Sequence, residues 1–196
     1  MNKHKISKYK AFNNLKDFKN ICEKNNISFF LDGGTLLGAY RDGDFCEDDH
    51  NDIDLTTLHD NWNLKDVIMI DSTRLNFKTY KKLDHETYLQ KNILSSSQLS
   101  LKRDNGKIDI MFKKIKNNFL WWTVFSKKQK VVYKKVPYEY VKKLKTIKFY
   151  GEDFFIPEKT EEYLSYRYGN WKVKVHRKNY SCYHSDLSIV NNYEEI

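Results

Sequence analysis

The stretch Phe30-Leu31-Asp32-Gly33-Gly34-Thr35-Leu36-Leu37-Gly38-Ala39-Tyr40-Arg41 decides how the rest of the chain is read. Ile27–Leu31 is a short apolar run, the pattern of a buried strand. Asp32-Gly33-Gly34 breaks it, and Thr35 is a residue type that caps a helix beginning at Leu36. Asp42-Gly43 closes that helix. Glycines let backbone approach a ligand closely, and a helix N-terminus offers free N–H groups to phosphate. Taken alone, the turn is weak evidence of a ligand and reads first as a structural tight bend.

The next segment changes that balance. Residues 42–60 hold eight acids (Asp42, Asp44, Glu47, Asp48, Asp49, Asp52, Asp54, Asp60) and no Lys or Arg, leaving 35 basic against 18 acidic residues elsewhere in a chain of net charge +9. Clustered carboxylates repel unless something neutralises them, and a divalent cation is the usual agent. Within the cluster, Asp52-Ile53-Asp54-Leu55 alternates as a half-buried strand does. Side chains two apart share a face, so Asp52 and Asp54 project together while Ile53 and Leu55 enter the core. Two carboxylates side by side suit magnesium or manganese. Lys107-Ile108-Asp109-Ile110-Met111-Phe112 then places one acid in an otherwise apolar strand, where it is costly unless paired or metal-bound. A Gly-Gly turn opening a helix, an Asp-x-Asp strand and a later strand Asp make up the layout of a two-metal phosphoryl-transfer site.

Outward from these motifs the pattern is α+β. Residues 8–25 carry Ala11, Phe12, Leu15, Phe18, Ile21 and Cys22 at helical spacing. Residues 61–71 read as a short helix. Strands are expected near 75–82, 97–103, 107–113, 119–125 and 129–135, with Asp104-Asn105-Gly106 as a hairpin turn. A short helix is expected over 137–144, a hairpin over 146–155 turning at Gly151-Glu152, and a helix from Pro157 to about Tyr168 that ends at Gly169. In the adjacent pair Trp121-Trp122, one ring is expected to face the core. The whole chain, 1–196, reads as one domain with its core over about 10–172 and a C-terminal extension over 173–196.

Other classes fit less well. The longest strongly apolar run is near Phe119–Phe125, too short to span a bilayer, and no leader pattern opens the chain. With three cysteines and no disulfide framework, a cytoplasmic location is expected. Residues 102–149 carry fifteen Lys or Arg and three acids among aromatics, which is compatible with a nucleic-acid-binding module but carries no recognised signature of one. A calcium loop starting at Asp42 fails at its fifth, sixth and twelfth positions (Cys46, Glu47, Ile53). Zinc spacing is incomplete both around Cys46 and His50 and around His176, Cys182 and His184.

The run Phe30–Arg41, then Gly43-Asp44-Phe45 and Asp52-Ile53-Asp54-Leu55, resembles the LicD and fukutin-related family of the nucleotidyltransferase fold superfamily. Lys107–Phe112 is similar to the family's third-carboxylate strand, and Arg167-Tyr168-Gly169-Asn170-Trp171 to its C-terminal Tyr-Gly-x-x-Trp helix end, shortened by one residue. The resemblance implies a nucleotidyltransferase-like fold, with a mixed, mostly antiparallel sheet and flanking helices. It implies a transferase that moves a phosphorylated small alcohol, phosphocholine- or phospho-alditol-like, from a CDP-linked donor to a glycan hydroxyl, releasing CMP. On that reading Asp52, Asp54 and Asp109 are the catalytic and metal-holding residues, with Mg2+ or Mn2+ as cofactor. Gly33, Gly34 and Thr35 would face the donor phosphates. Arg41 would steady those phosphates or pair with local acids, and Tyr168 and Trp171 would lock their helix to the core or line the donor pocket. Nucleotidyl transfer from an NTP is the alternative on the same fold. The acidic run departs from the family's pattern, because His50-Asn51 stands where a carboxylate is expected before Asp52.

Overall fold

In the computed structural model, the described residues are 6–47, 49–58, 64–84, 97–125, 131–175 and 188–190. The chain opens with helix α1 (Lys8–Lys24), capped by the Ser7 side chain, which accepts from the Lys10 N–H. Its apolar stripe of Ala11, Phe12, Leu15, Phe18, Ile21 and Cys22 is buried, as the helical spacing predicts. Strand β1 is only Phe30–Leu31. Helix α2 (Gly33–Asp42) follows at once and ends on Gly43 in the left-handed conformation. Strand β2 (Asp52–Thr57) and helix α3 (Leu64–Arg74) come next.

Three longer strands then build the sheet: β3 (Lys78–Asp84), β4 (Ser97–Arg103) and β5 (Gly106–Phe112). The order is β1-β2-β5-β4-β3. All pairings are antiparallel except β2 with β5, which run parallel with Asp54 opposite Asp109 and Asp52 opposite Lys107. Asp104 and Asn105 turn the β4–β5 hairpin with positive φ. Side-chain alternation separates the two faces of this sheet. Ile53, Leu55, Leu99, Leu101, Ile108 and Ile110 are buried in one cluster with the stripe of α1, and α1 lies against β5. The opposite face carries the acids.

A second, three-stranded sheet holds β6 (Lys114–Lys116), β7 (Phe119–Phe125) and β8 (Val131–Pro137). The β9 (Leu144–Phe149) and β10 (Glu152–Pro157) hairpin and helix α4 (Thr160–Tyr168) complete the described structure. The fold is thus the expected α+β type with mostly antiparallel sheets, a parallel pair at its centre and flanking helices.

Several local expectations are corrected. The helix after the Gly-Gly turn starts at Gly33, not Leu36, and its N-cap is Asp32, whose carboxylate accepts from the Gly33 N–H at 2.7 Å. Thr35 therefore sits inside the helix. The expected helix at 137–144 is a three-residue 3-10 turn, Tyr138–Tyr140, because Leu144 already belongs to β9. Pro157 closes β10 rather than opening α4. The β9–β10 turn falls at Tyr150-Gly151, both with positive φ. Strand β6 was not anticipated, since Lys-Ile-Lys is short and polar. Both Trp121 and Trp122 are buried: Trp122 in the main core, Trp121 in a satellite cluster with Val190. His176, Cys182 and His184 lie outside the described residues, as do Asp48 and Asp60.

Candidate active site

Parallel pairing of β2 and β5 brings the three strand acids together. Asp54 and Asp109 are direct partners across the pair, and Asp52 shares their face two residues along. One carboxylate oxygen from each of Asp52, Asp54 and Asp109 lies within 4.8 Å of the others. Beside them runs the Gly-Gly turn: the Gly34 N–H donates to Asp54 Oδ2 at 3.2 Å. A Cβ at Gly33 would overlap the Asp54 carboxylate, and one at Gly34 would overlap that of Asp49. Gly33 also has φ +54°, so both space and backbone require glycine there. The Thr35 hydroxyl accepts from the Asp54 N–H at 2.9 Å and so ties the helix to the acid-bearing strand.

The electrostatics of this corner are unbalanced. Burial pushes the Asp54 carboxyl well above the usual range, and Asp52, Asp109, Asp49 and Asp32 push it further. The cation that meets the triad is Lys107, with Nζ 3.0 Å from Asp52 Oδ1 and 2.7 Å from Asp109 Oδ2. Burial opposes the Lys107 charge, but Asp52 and Asp109 outweigh it and hold its pKa above the ordinary lysine value. Asp109 Oδ1 is buried without a hydrogen-bond partner. An all-oxygen donor set, an orphaned buried carboxylate oxygen and a glycine-lined approach fit a hard divalent cation.

A second acid nearby has the opposite character. Asp32 is buried and accepts from Lys113 Nζ and the Thr56 hydroxyl at 2.6 Å each, and from Arg167 Nη1 and the Tyr163 hydroxyl at 2.7 Å each. Burial disfavours its charge, yet Lys113 and Arg167 outweigh that and hold the carboxyl far below the usual range. Burial in turn pulls Lys113 down to about 8, against Asp32 and with Arg167. This cluster joins α2, the end of β5 and α4. The sequence reading assigned no role to Asp32, Lys107, Lys113 or Arg167. For Lys107 the signal was present, because a residue two before Asp109 on a strand must share its face.

The remaining candidates gather elsewhere. Arg41 lies at the far end of α2, about 10 Å along the helix axis from Gly34 at 1.5 Å per residue. It makes two hydrogen bonds to Asp42, at 3.1 and 2.9 Å, and donates to the Trp171 carbonyl at 3.2 Å. Trp171 stands against Tyr40 with ring centroids 5.7 Å apart, and its Nε1 donates to Ser165 Oγ at 3.1 Å. Tyr168 faces the Arg167 guanidinium at 5.1 Å. The structure thus unites Asp52, Asp54, Asp109, Gly33, Gly34 and Thr35, and puts Arg41 and Trp171 in a separate α2–α4 contact.

The chain shares 15% identity with two structures of ANT(2'')-Ia: the antibiotic-resistance factor in solution and its crystal complex with adenylyl-2''-tobramycin. These cover 54% of this chain, with TM-scores of 0.39 and 0.38, and the chain spans about half of theirs (48% and 51%). No curated protein sequence matches the chain. The model of the LicD/FKTN/FKRP nucleotidyltransferase domain matches residues 26–159, which include the glycine turn, all three strand acids and Lys107. With its glycine turn and acid-bearing parallel strands inside that match, the chain belongs to the LicD/FKTN/FKRP family.

Proposed function

We propose that the protein transfers a phosphorylated small alcohol, of the phosphocholine or phospho-alditol kind, from a CDP-linked donor to a glycan hydroxyl. The observation that carries this reading is the meeting of Asp52, Asp54 and Asp109 beside the Gly33-Gly34 turn within a LicD-family domain. Asp52, Asp54 and Asp109 would hold Mg2+ or Mn2+. When bound, such an ion polarises phosphoryl oxygens and offsets charge on the leaving group.

The chain's own groups divide the remaining work. The N-terminal end of α2 presents its positive dipole end to the donor phosphates. The glycan hydroxyl oxygen bonds to the phosphorus that carries the alcohol, the bond from that phosphorus to the bridging oxygen breaks, and CMP leaves. The hydroxyl proton passes to a carboxylate or to water. We assign Arg41, Tyr168 and Trp171 to holding α4 against α2, in keeping with their contacts.

The test is incubation with CDP-choline, CDP-ribitol and, separately, NTPs, with Mg2+ or Mn2+ and candidate glycans. CMP release that depends on acceptor and metal supports the proposal. Pyrophosphate release from an NTP replaces it with nucleotidyl transfer.

A further inference from the structure

Lys107 is held in the carboxylate cluster by backbone register rather than by a chance rotamer. It sits directly across the parallel pair from Asp52 and two residues before Asp109, so all three side chains leave the same sheet face. Its Nζ bridges Asp52 Oδ1 at 3.0 Å and Asp109 Oδ2 at 2.7 Å, and the side chain is only 25% exposed. In a two-metal phosphoryl-transfer site the ions stand about 3.5–4 Å apart, bridged by shared carboxylates. Here a bridging position between two of the three carboxylates already holds a positive charge.

We propose that the Lys107 ammonium is a resident cation in the place of a second divalent ion, so that the site binds one divalent ion per chain. This rests on the metal reading of the triad, and it replaces the two-metal layout that the carboxylate spacing alone suggests.

Charge and donor supply point the same way. The Lys107 ammonium already offsets part of the charge of Asp52 and Asp109, so less positive charge is needed from bound ions. Asp54 is the carboxylate left without a cation: its shown partner is the Gly34 N–H. Asp109 keeps one buried oxygen unpartnered on the side not taken by Lys107. Demand for a cation is therefore greatest at Asp54 and Asp109 Oδ1, the carboxylate oxygens for which Lys107 is not the shown partner. An ammonium has three donors. One donates to Asp109 Oδ2 at 2.7 Å while the ammonium also stands 3.0 Å from Asp52 Oδ1, so a single cation serves two carboxylates at once.

The experiment counts ions directly, by electron paramagnetic resonance and calorimetric titration of the whole chain with Mn2+, alone and with CMP. The wild type is expected to bind one Mn2+ per chain in both conditions. The Lys107→Met variant, similar in length and uncharged, is expected to bind two, or to hold one at least tenfold tighter. Two ions in the wild type overturn the proposal whatever the variant does. So does a variant with unchanged stoichiometry and affinity and an unchanged melting temperature. One ion in the wild type with no CMP release from any CDP-alcohol leaves the Lys107 assignment standing and overturns the proposed function instead.

Discussion

Two groups of acids stand on adjoining parts of one sheet face, and their surroundings differ in kind. Asp32 is one carboxylate among two cations and two hydroxyls, Lys113, Arg167, Thr56 and Tyr163, all at hydrogen-bonding distance. Asp52, Asp54 and Asp109 are three carboxylates of which Lys107 meets two, Asp52 and Asp109. The first group is electrostatically complete and the second is short of positive charge. The same folded chain supplies Asp32 with two cations and leaves the half-buried Asp54 among like charges. The comparison separates an acid that the fold supplies with counter-charge from the acids to which we assign the chemistry.

The largest effect is expected at the complete cluster. Asp32→Ala leaves Lys113 and Arg167 buried without their counter-charge, and breaking a buried pair from one side costs about 3–5 kcal/mol. At about 2–4 °C per kcal/mol for a chain of this size, the melting temperature should fall by about 6–20 °C. It would also uncap α2. Thermal unfolding of the variant is the measurement, and a change below about 1 kcal/mol would erase the distinction between the clusters.

The triad should respond in the reverse way. Asp54→Asn removes a charge that its neighbours oppose, so apo stability should hold or rise slightly. Turnover should nevertheless drop by at least about 100-fold, the scale for losing a group that stabilises transition-state charge. Mn2+ should raise the melting temperature of the wild type, as any ligand selective for the folded state does. That rise should be absent in the variant. Asp54→Asn with full turnover would remove the triad from the mechanism.

Much of this contrast was legible in the sequence. Alternation in Asp52–Leu55 marked one acid strand and the face that Asp52 and Asp54 share, the apolar run around Asp109 marked the other, and the parallel pairing that joins them came only with the fold. The role of Asp32 was not legible, because its partners lie 81, 131 and 135 residues away at Lys113, Tyr163 and Arg167. Beside two glycines an Asp reads as a turn former, and Lys113 reads as a surface charge beside Lys114. Only the tertiary fold carries α4 back over the start of α2. Local propensity also misplaced the helix start: Thr35 has a capping side chain, but its hydroxyl is spent on the Asp54 N–H.

The two clusters should also differ in their response to acid. The folded Asp32 carboxyl titrates below its unfolded value, so the unfolded chain takes up a proton first as pH falls. Its stabilisation is complete above about pH 4, the ordinary carboxylate value, and is lost below it. One such proton gives a slope of about 1.4 kcal/mol per pH unit. Asp54 is shifted upward, so its contribution is present at low pH and is lost as pH rises above the ordinary value. Urea midpoints between pH 5 and 3 should therefore fall less steeply in Asp32→Asn than in the wild type. Equal slopes would mean that Asp32 is not held ionised.

The smallest effect is expected in the acidic loop beyond the triad, where the same distinction can be pressed furthest. Asp44 is ion-paired with Lys8 and accepts from the Tyr150 hydroxyl, at the turn of the β9–β10 hairpin. Burial raises its carboxyl pKa, but Lys8, Tyr150 and the Phe45 N–H together hold it below the ordinary value. Asp44 is thus an acid of the Asp32 kind, supplied by the fold, though much more exposed. Tyr150→Phe keeps the ring stacked on Phe12, with centroids 5.0 Å apart, and removes only the hydroxyl. At such exposure the loss should be about 0.2–1 kcal/mol, the range for exposed pairs. Mn2+ affinity should not change. A variant that lost Mn2+ binding would extend the charge-short region from the triad to the far side of the loop, and the division between supplied and waiting acids would have to be redrawn there.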